Sequence, residues 1–147
     1  MDSKTHAAPG AHPAFQRIRP DWPPVGVYIG RELLEVNHDG NVRLRYRAQP
    51  EWANGRGDVQ GGFVAVMLDS ALGAAAVAQL PSSDSVATIE MKVSYIRPTP
   101  MAELIGHGRV AHKGSSTVFA EGELRTTDGL LLATATATLR IVQGRRD

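Results

Sequence analysis

The chain has 147 residues, no cysteine, and 16 Lys plus Arg against 15 Asp plus Glu, a formal charge of +1. That length supports one domain with a core and is short for two. The absence of cysteine excludes disulfides, thiolate catalysis and thiolate metal sites and suits a cytoplasmic setting, while the balanced charge carries no signature of a nucleic-acid or membrane partner.

Residues 1–24 hold five of the nine prolines and no sustained period. They read as a flexible N-terminal tail with a short helical turn near 15–19, so the domain is expected over 25–147. No basic stretch followed by an apolar run marks a secretory signal. VYIGRELLEV and VRLRYRA then flank His38-Asp39-Gly40-Asn41, the pattern of a hairpin in which Gly40 supplies a positive φ. In the second arm Arg43, Arg45 and Arg47 alternate with Val42, Leu44 and Tyr46, which reads as a solvated strand face rather than a phosphate stripe.

A polar, Gly-rich connection over 49–59 leads to a helix expected at 61–79 and ended by Pro81. Its alanines and glycines leave it apolar on nearly every side, as expected of a helix wrapped by other structure. The apolar run 63–78 is interrupted by Asp69 and Ser70 and is shorter than the roughly 20 residues that cross a bilayer. Four long strands are expected at 85–96, 102–112, 117–126 and 130–142, in meander order, with small residues on one face of the last. Glu90 and Lys92 read as a charge pair on one strand face. The elements together describe an α+β fold, one long central helix wrapped by a curved antiparallel sheet of about six strands.

Asn54, Gly57, Gln60, Gly61 and Gly62, with Asp69 nine residues after Gln60, closely resemble the helix-entry motif Asn-x-x-Gly-x-x-His-Gly-Gly of hotdog-fold acyl-CoA thioesterases of the phenylacetate-degradation (PaaI-like) type. Thr88 near the start of the next strand, and Arg97-Pro98 at its end, also match. The resemblance covers about residues 25–142. It departs at Gln60, where the family has His; an amide donates and accepts hydrogen bonds but does not titrate near neutral pH.

The resemblance implies hydrolysis of an acyl-CoA thioester to free acid and coenzyme A. Unpaired N–H groups at a helix N-terminus suit the charge that develops on a thioester carbonyl, and glycines let a ligand approach that backbone. Gly61 is therefore the expected oxyanion donor, with help from Gly62 and the Asn54 amide. Asp69 is the expected general base or nucleophile, oriented by Thr88 and Gln60. Asn54 alone also reads as a loop residue bonding its own backbone.

Asp69 lies about 12 Å along the helix from its tip, at 1.5 Å per residue. The family resolves this separation by dimerising, so the resemblance implies a homodimer or homotetramer in which Asp69 serves the partner's tip. Arg97, Pro98, Lys113, Gly114 and Ser115 are expected to bind the coenzyme A nucleotide, and Phe63, Met67 and Trp52 are nominated for the acyl tunnel. The five histidines show no zinc spacing; neither metal nor cofactor is expected. The rival readings are an acyl-CoA-binding hotdog module without turnover, a hotdog hydratase or dehydratase, and a protein that only assembles through its sheet.

Overall fold

The computed structural model describes residues 12–144. Its elements are α1 (Ala14–Arg17), α2 (Pro24–Tyr28), β1 (Glu32–Val36), β2 (Val42–Arg47), α3 (Gly61–Val77), β3 (Ser85–Tyr95), β4 (Glu103–Lys113), β5 (Thr117–Thr126) and β6 (Leu131–Val142), with a 3-10 turn at Pro50–Trp52 before α3. One antiparallel sheet runs β1-β2-β4-β5-β6-β3. Register shifts in four of its five pairings bend it, and α3 lies against the concave face, packed on β4, β5 and β3 above all. This is the helix-in-a-curved-sheet arrangement expected of a hotdog fold.

Two details differ from the sequence reading. The first hairpin arm begins only at Glu32, because Val27 and Tyr28 belong to α2. Pro24 at the first helical position has the φ a helix needs, and Gly30 at φ +63° turns the chain into the strand. The four long strands also do not form a simple meander: β3 pairs with β6 instead of β4, so it lies at one edge of the sheet and β1 at the other. Gly40 adopts the positive φ expected of the hairpin turn, and the β2 arginines pair outward with Glu35, Glu32 and Glu103.

Close helix-to-sheet packing is what makes the core. Ala71, Ala74, Ala75 and Ala76 of α3 are buried, as are Ala133, Ala135 and Ala137 of β6. Gly108 on β4 sits directly beneath the α3 backbone, where a Cβ would lie 2.3 Å from the Ala71 carbonyl oxygen. Small side chains on both surfaces let the helix settle deep in the sheet's curve.

Residues 1–11 of the expected tail lie outside the described residues. Within 12–24, Ala14 and Ile18 are buried in the main core, so the core takes in residues ahead of position 25. Arg17 reaches across to the C-terminal end of α3. Its Nη1 donates to the carbonyls of Val77 (2.9 Å), Leu80 (3.4 Å) and Pro81 (3.2 Å), and its Nη2 to that of Asp84. A helix end leaves its last carbonyls partly negative; here a guanidinium from the N-terminal segment adds charged donors to the Val77 carbonyl and to the carbonyls of the turn that follows it. We expect Arg17→Ala to cost about 2 kcal/mol, since hydrogen bonds to a charged group are worth roughly 1.5–3 kcal/mol. Thermal unfolding should show a fall of roughly 4–8 °C at this chain length, and an unchanged midpoint would mean that water replaces the guanidinium without loss.

Candidate active site

The connection before α3 is organised by one side chain. The Asn54 Oδ1 accepts from the N–H groups of Arg56 (2.9 Å) and Asp58 (3.2 Å), while its backbone exchanges bonds with Asp58 and Gly57. Gly57 takes φ +84° at the corner. The loop-organising role of Asn54 is thus present in the structure, and the Asn54 side-chain N–H groups are left without a protein acceptor among the described residues.

This loop delivers the chain to the helix tip. Gln60 occupies the N-cap position in an extended conformation, with no side-chain cap. Its N–H donates to the Trp52 carbonyl at 2.7 Å, and its carbonyl accepts from Phe63 and Val64. The N–H groups of Gly61 and Gly62 have no acceptor among the described residues, leaving two aligned donors at the positive end of a 17-residue helix. Gly61 borders an open cleft of about 610 Å³ lined also by Asn54, Arg56, Gln60, Tyr95 and Arg97.

Asp69 lies further along α3 on its exposed side, and its Oδ1 accepts a 2.7 Å hydrogen bond from the Thr88 hydroxyl of β3. A β-bulge decides this pairing. In the second half of β3, Met91, Val93 and Tyr95 lie opposite the buried Ala137, Ala135 and Ala133 of β6. Continued alternation would turn Ile89 toward the helix and Thr88 away. The register shift between Thr88 and Glu90 inserts Ile89 as an extra residue and sets Thr88 opposite Leu139, on the inner face. Glu90 turns outward and accepts from the Thr138 hydroxyl at 2.7 Å, and among the described residues it makes no ion pair with Lys92. Next to Asp69, Ser70 accepts a hydrogen bond from Tyr46 at 3.1 Å. Burial, with a further push from the Asp69 charge, raises the Tyr46 pKa far above its ordinary value, so this phenol stays neutral at any working pH.

The expected residues therefore fall into three places within one chain. Asn54, Gln60, Gly61, Arg97 and Pro98 line the tip cleft, and Gly62 follows Gly61 on the exposed side of the first helical turn. Asp69 and Thr88 form a pair near the middle of α3. Lys113, Gly114 and Ser115 belong to the β4–β5 turn, where Gly114 donates to Thr117 and Lys113 Nζ reaches the Gln79 carbonyl at 3.4 Å, at the far end of the helix. Arg97 also has a structural task, donating from Nη1 to the Leu131 carbonyl at 2.8 Å. Of the nominated acyl-tunnel residues, Met67 is 0% and Trp52 1% exposed. Both are core residues, and Trp52 stacks on the half-buried Phe63 at a centroid distance of 4.8 Å.

Among the cleft residues that the sequence reading did not nominate, Tyr95 makes a direct bond to the helix tip. Tyr95 ends β3, and its hydroxyl donates to the Gly61 carbonyl at 2.9 Å. Strand alternation from Met91 and Val93 was the available signal, but the contact depends on how β3 crosses the helix tip.

Comparison with known proteins agrees with this geometry. Residues 56–133 match the family model described as the thioesterase superfamily. A candidate esterase of Halobacterium salinarum is 40% identical over 93 residues, which cover 60% of this chain and 61% of that protein; the chain thus matches under two thirds of that relative's length. A candidate thioesterase of Ralstonia eutropha, related to phenylacetic acid degradation, has 32% identity and a TM-score of 0.79 over 86% of this chain and 98% of its own. A Bacillus halodurans protein solved with CoA has 26% identity and a TM-score of 0.75, over 90% of this chain and 86% of its own.

Proposed function

Because the chain belongs to the thioesterase superfamily, we propose that it hydrolyses an acyl-CoA thioester to free acid and coenzyme A. The observation that carries this reading is the pair of acceptor-less N–H groups at the helix tip, Gly61 and Gly62, beside a cleft that Gly61 lines and that is large enough for a ligand. The thioester carbonyl oxygen binds there. As water attacks, the negative charge that forms on that oxygen meets two backbone donors and the helix dipole, which need no reorganisation. Asn54 supplies a third donor from its side-chain amide, and Gln60 helps hold the water.

Asp69 takes the proton from the attacking water. Thr88 occupies one carboxylate oxygen with its hydroxyl, which orients the group and leaves the other oxygen to act as base. The tetrahedral adduct then collapses, the C–S bond breaks, and coenzyme A leaves as a thiolate that takes up the proton Asp69 had accepted, which returns Asp69 to its carboxylate form. Arg97 and Pro98 line the approach of the coenzyme's phosphates, and Lys113, Gly114 and Ser115 bind phosphate at the sheet's other end.

The separation of Asp69 from the tip leads to a dimer. Two features favour it: among the described residues the outer side of β3 pairs with no other strand, with Ile89 59% exposed, and the exposed side of α3 carries Gly62 and Asp69. A two-fold axis along this surface brings Asp69 of one subunit to the tip of the other. The cysteine-free composition suits a cytoplasmic enzyme, and no described helix is long and apolar enough to cross a membrane.

The direct test is release of free CoA thiol from a panel of aliphatic and aromatic acyl-CoA thioesters by the intact protein. Turnover of at least one thioester well above the uncatalysed rate is expected. Saturable binding without turnover would favour the non-catalytic module, the reading to which Gln60 lends most weight.

A further inference from the structure

The proposed reaction leaves Tyr95 without a part, although its hydroxyl bonds the helix tip and its ring lies against Gly61. Its position at the end of β3, opposite the fully buried Ala133, turns the ring toward α3. A Cβ built on Gly61 would lie 3.3 Å from the ring carbons Cε1 and Cζ, so the ring edge lies almost directly against the Gly61 backbone. The ring is 55% exposed and borders the cleft. Its hydroxyl proton is committed to the Gly61 carbonyl.

That carbonyl belongs to the same peptide unit as the N–H of Gly62. A peptide is planar, so a bond that holds the oxygen also holds the direction of the N–H at the opposite end. Donation to the carbonyl also draws electron density from nitrogen to oxygen and makes the N–H a stronger donor, the polarisation seen along hydrogen-bond chains. With two consecutive glycines, this first turn is the part of α3 with most backbone freedom, and Gln60 provides no side-chain cap to restrain it.

We propose that Tyr95 is a positioning residue. Its hydroxyl locks the Gly61–Gly62 peptide so that the Gly62 N–H stays aimed at the thioester oxygen and donates more strongly to it. This rests on the hydrolase reading and adds to it a residue that acts through the backbone rather than on the substrate.

The test compares the intact protein with Tyr95→Phe, which keeps the ring and removes only the hydroxyl. Steady-state hydrolysis of the best acyl-CoA substrate should show kcat reduced by about three- to tenfold, less than the hundred- to thousandfold of losing an oxyanion donor outright, with KM within about twofold. In the substrate-free protein the carbonyl carbon resonance of Gly61 should move upfield and the Gly62 amide signal should shift with it. The melting temperature should change little.

Unchanged kcat in an active protein, an unmoved Gly61 resonance, or parallel losses in kcat, KM and melting temperature would each overturn the positioning role while leaving the hydrolase reading intact. An intact protein that binds acyl-CoA without turning it over would overturn both.

Discussion

Asp69→Asn is expected to lower kcat by roughly a hundred- to ten-thousandfold, the usual contribution of a positioned general base, with KM changed by less than about threefold. The substitution keeps the shape of the side chain and an oxygen that accepts from Thr88, so the hydrogen bond survives and only the proton-accepting carboxylate is lost. Asp69 is exposed in the single chain, and the variant should fold with near-normal stability. Undiminished release of CoA thiol would sink the assigned role.

The same variant tests the shared site. Gly61→Pro removes one tip donor at the first helical position, where proline is favoured, after a Gln60 that already has the extended conformation proline requires. The Tyr95 ring would have to yield by a few tenths of an ångström. Each variant alone should be nearly inactive. If Asp69 serves the partner's tip, unfolding and refolding the two together should recover about a quarter of wild-type activity. Half of the dimers are then mixed, and each mixed dimer keeps one intact site of two. No recovery, from subunits shown to have exchanged, would place base and tip in the same chain.

Gly108→Ala is the substitution with the largest expected effect on stability. Its φ is not in the left-handed region, so the backbone conformation itself tolerates alanine. What alanine meets is the helix: the new methyl would lie 2.3 Å from the Ala71 carbonyl oxygen, 3.0 Å from its carbon and 3.1 Å from the Ala75 methyl. Two of these are helix backbone atoms, which cannot swing aside as a side chain can. The helix and sheet must separate, loosening contacts along their whole length.

Overpacking commonly costs about 1–3 kcal/mol and more where backbone must move, so a loss of about 3 kcal/mol or more is expected, roughly 6–12 °C in the melting temperature. Gly55→Ala, where nothing lies within 4 Å of the added methyl, provides the neutral comparison. A shift for Gly108→Ala as small as that of Gly55→Ala would mean that the helix moves away at little cost.

Much of the architecture was legible because its signals are local. The alternation of Val42, Leu44 and Tyr46 with three arginines, the all-round apolar character of 61–77 and the Ala/Thr alternation of β6 each follow from which side of an element is buried. The motif from Asn54 to Asp69 was readable for a related reason: a Gly-rich helix entry has no side chains to obscure the backbone, so its chemistry lies in the spacing. The amino-acid order by itself thus determined one helix within a curved antiparallel sheet, the tip at Gly61 and the unusual acid at Asp69.

Only the tertiary structure decided the rest, because it depends on pairings between distant segments. The place of β3 beside β6, and not β4, follows from long-range strand pairing that no local period encodes. Thr88 faces Asp69 because a single bulge at Ile89 re-aims one half of the strand. Arg17, read as part of a tail, closes the far end of α3 from 60 residues away in the chain. Tyr95 reaches Gly61 across 34 residues, and the need for glycine at 108 exists only because a particular helix carbonyl lies against it.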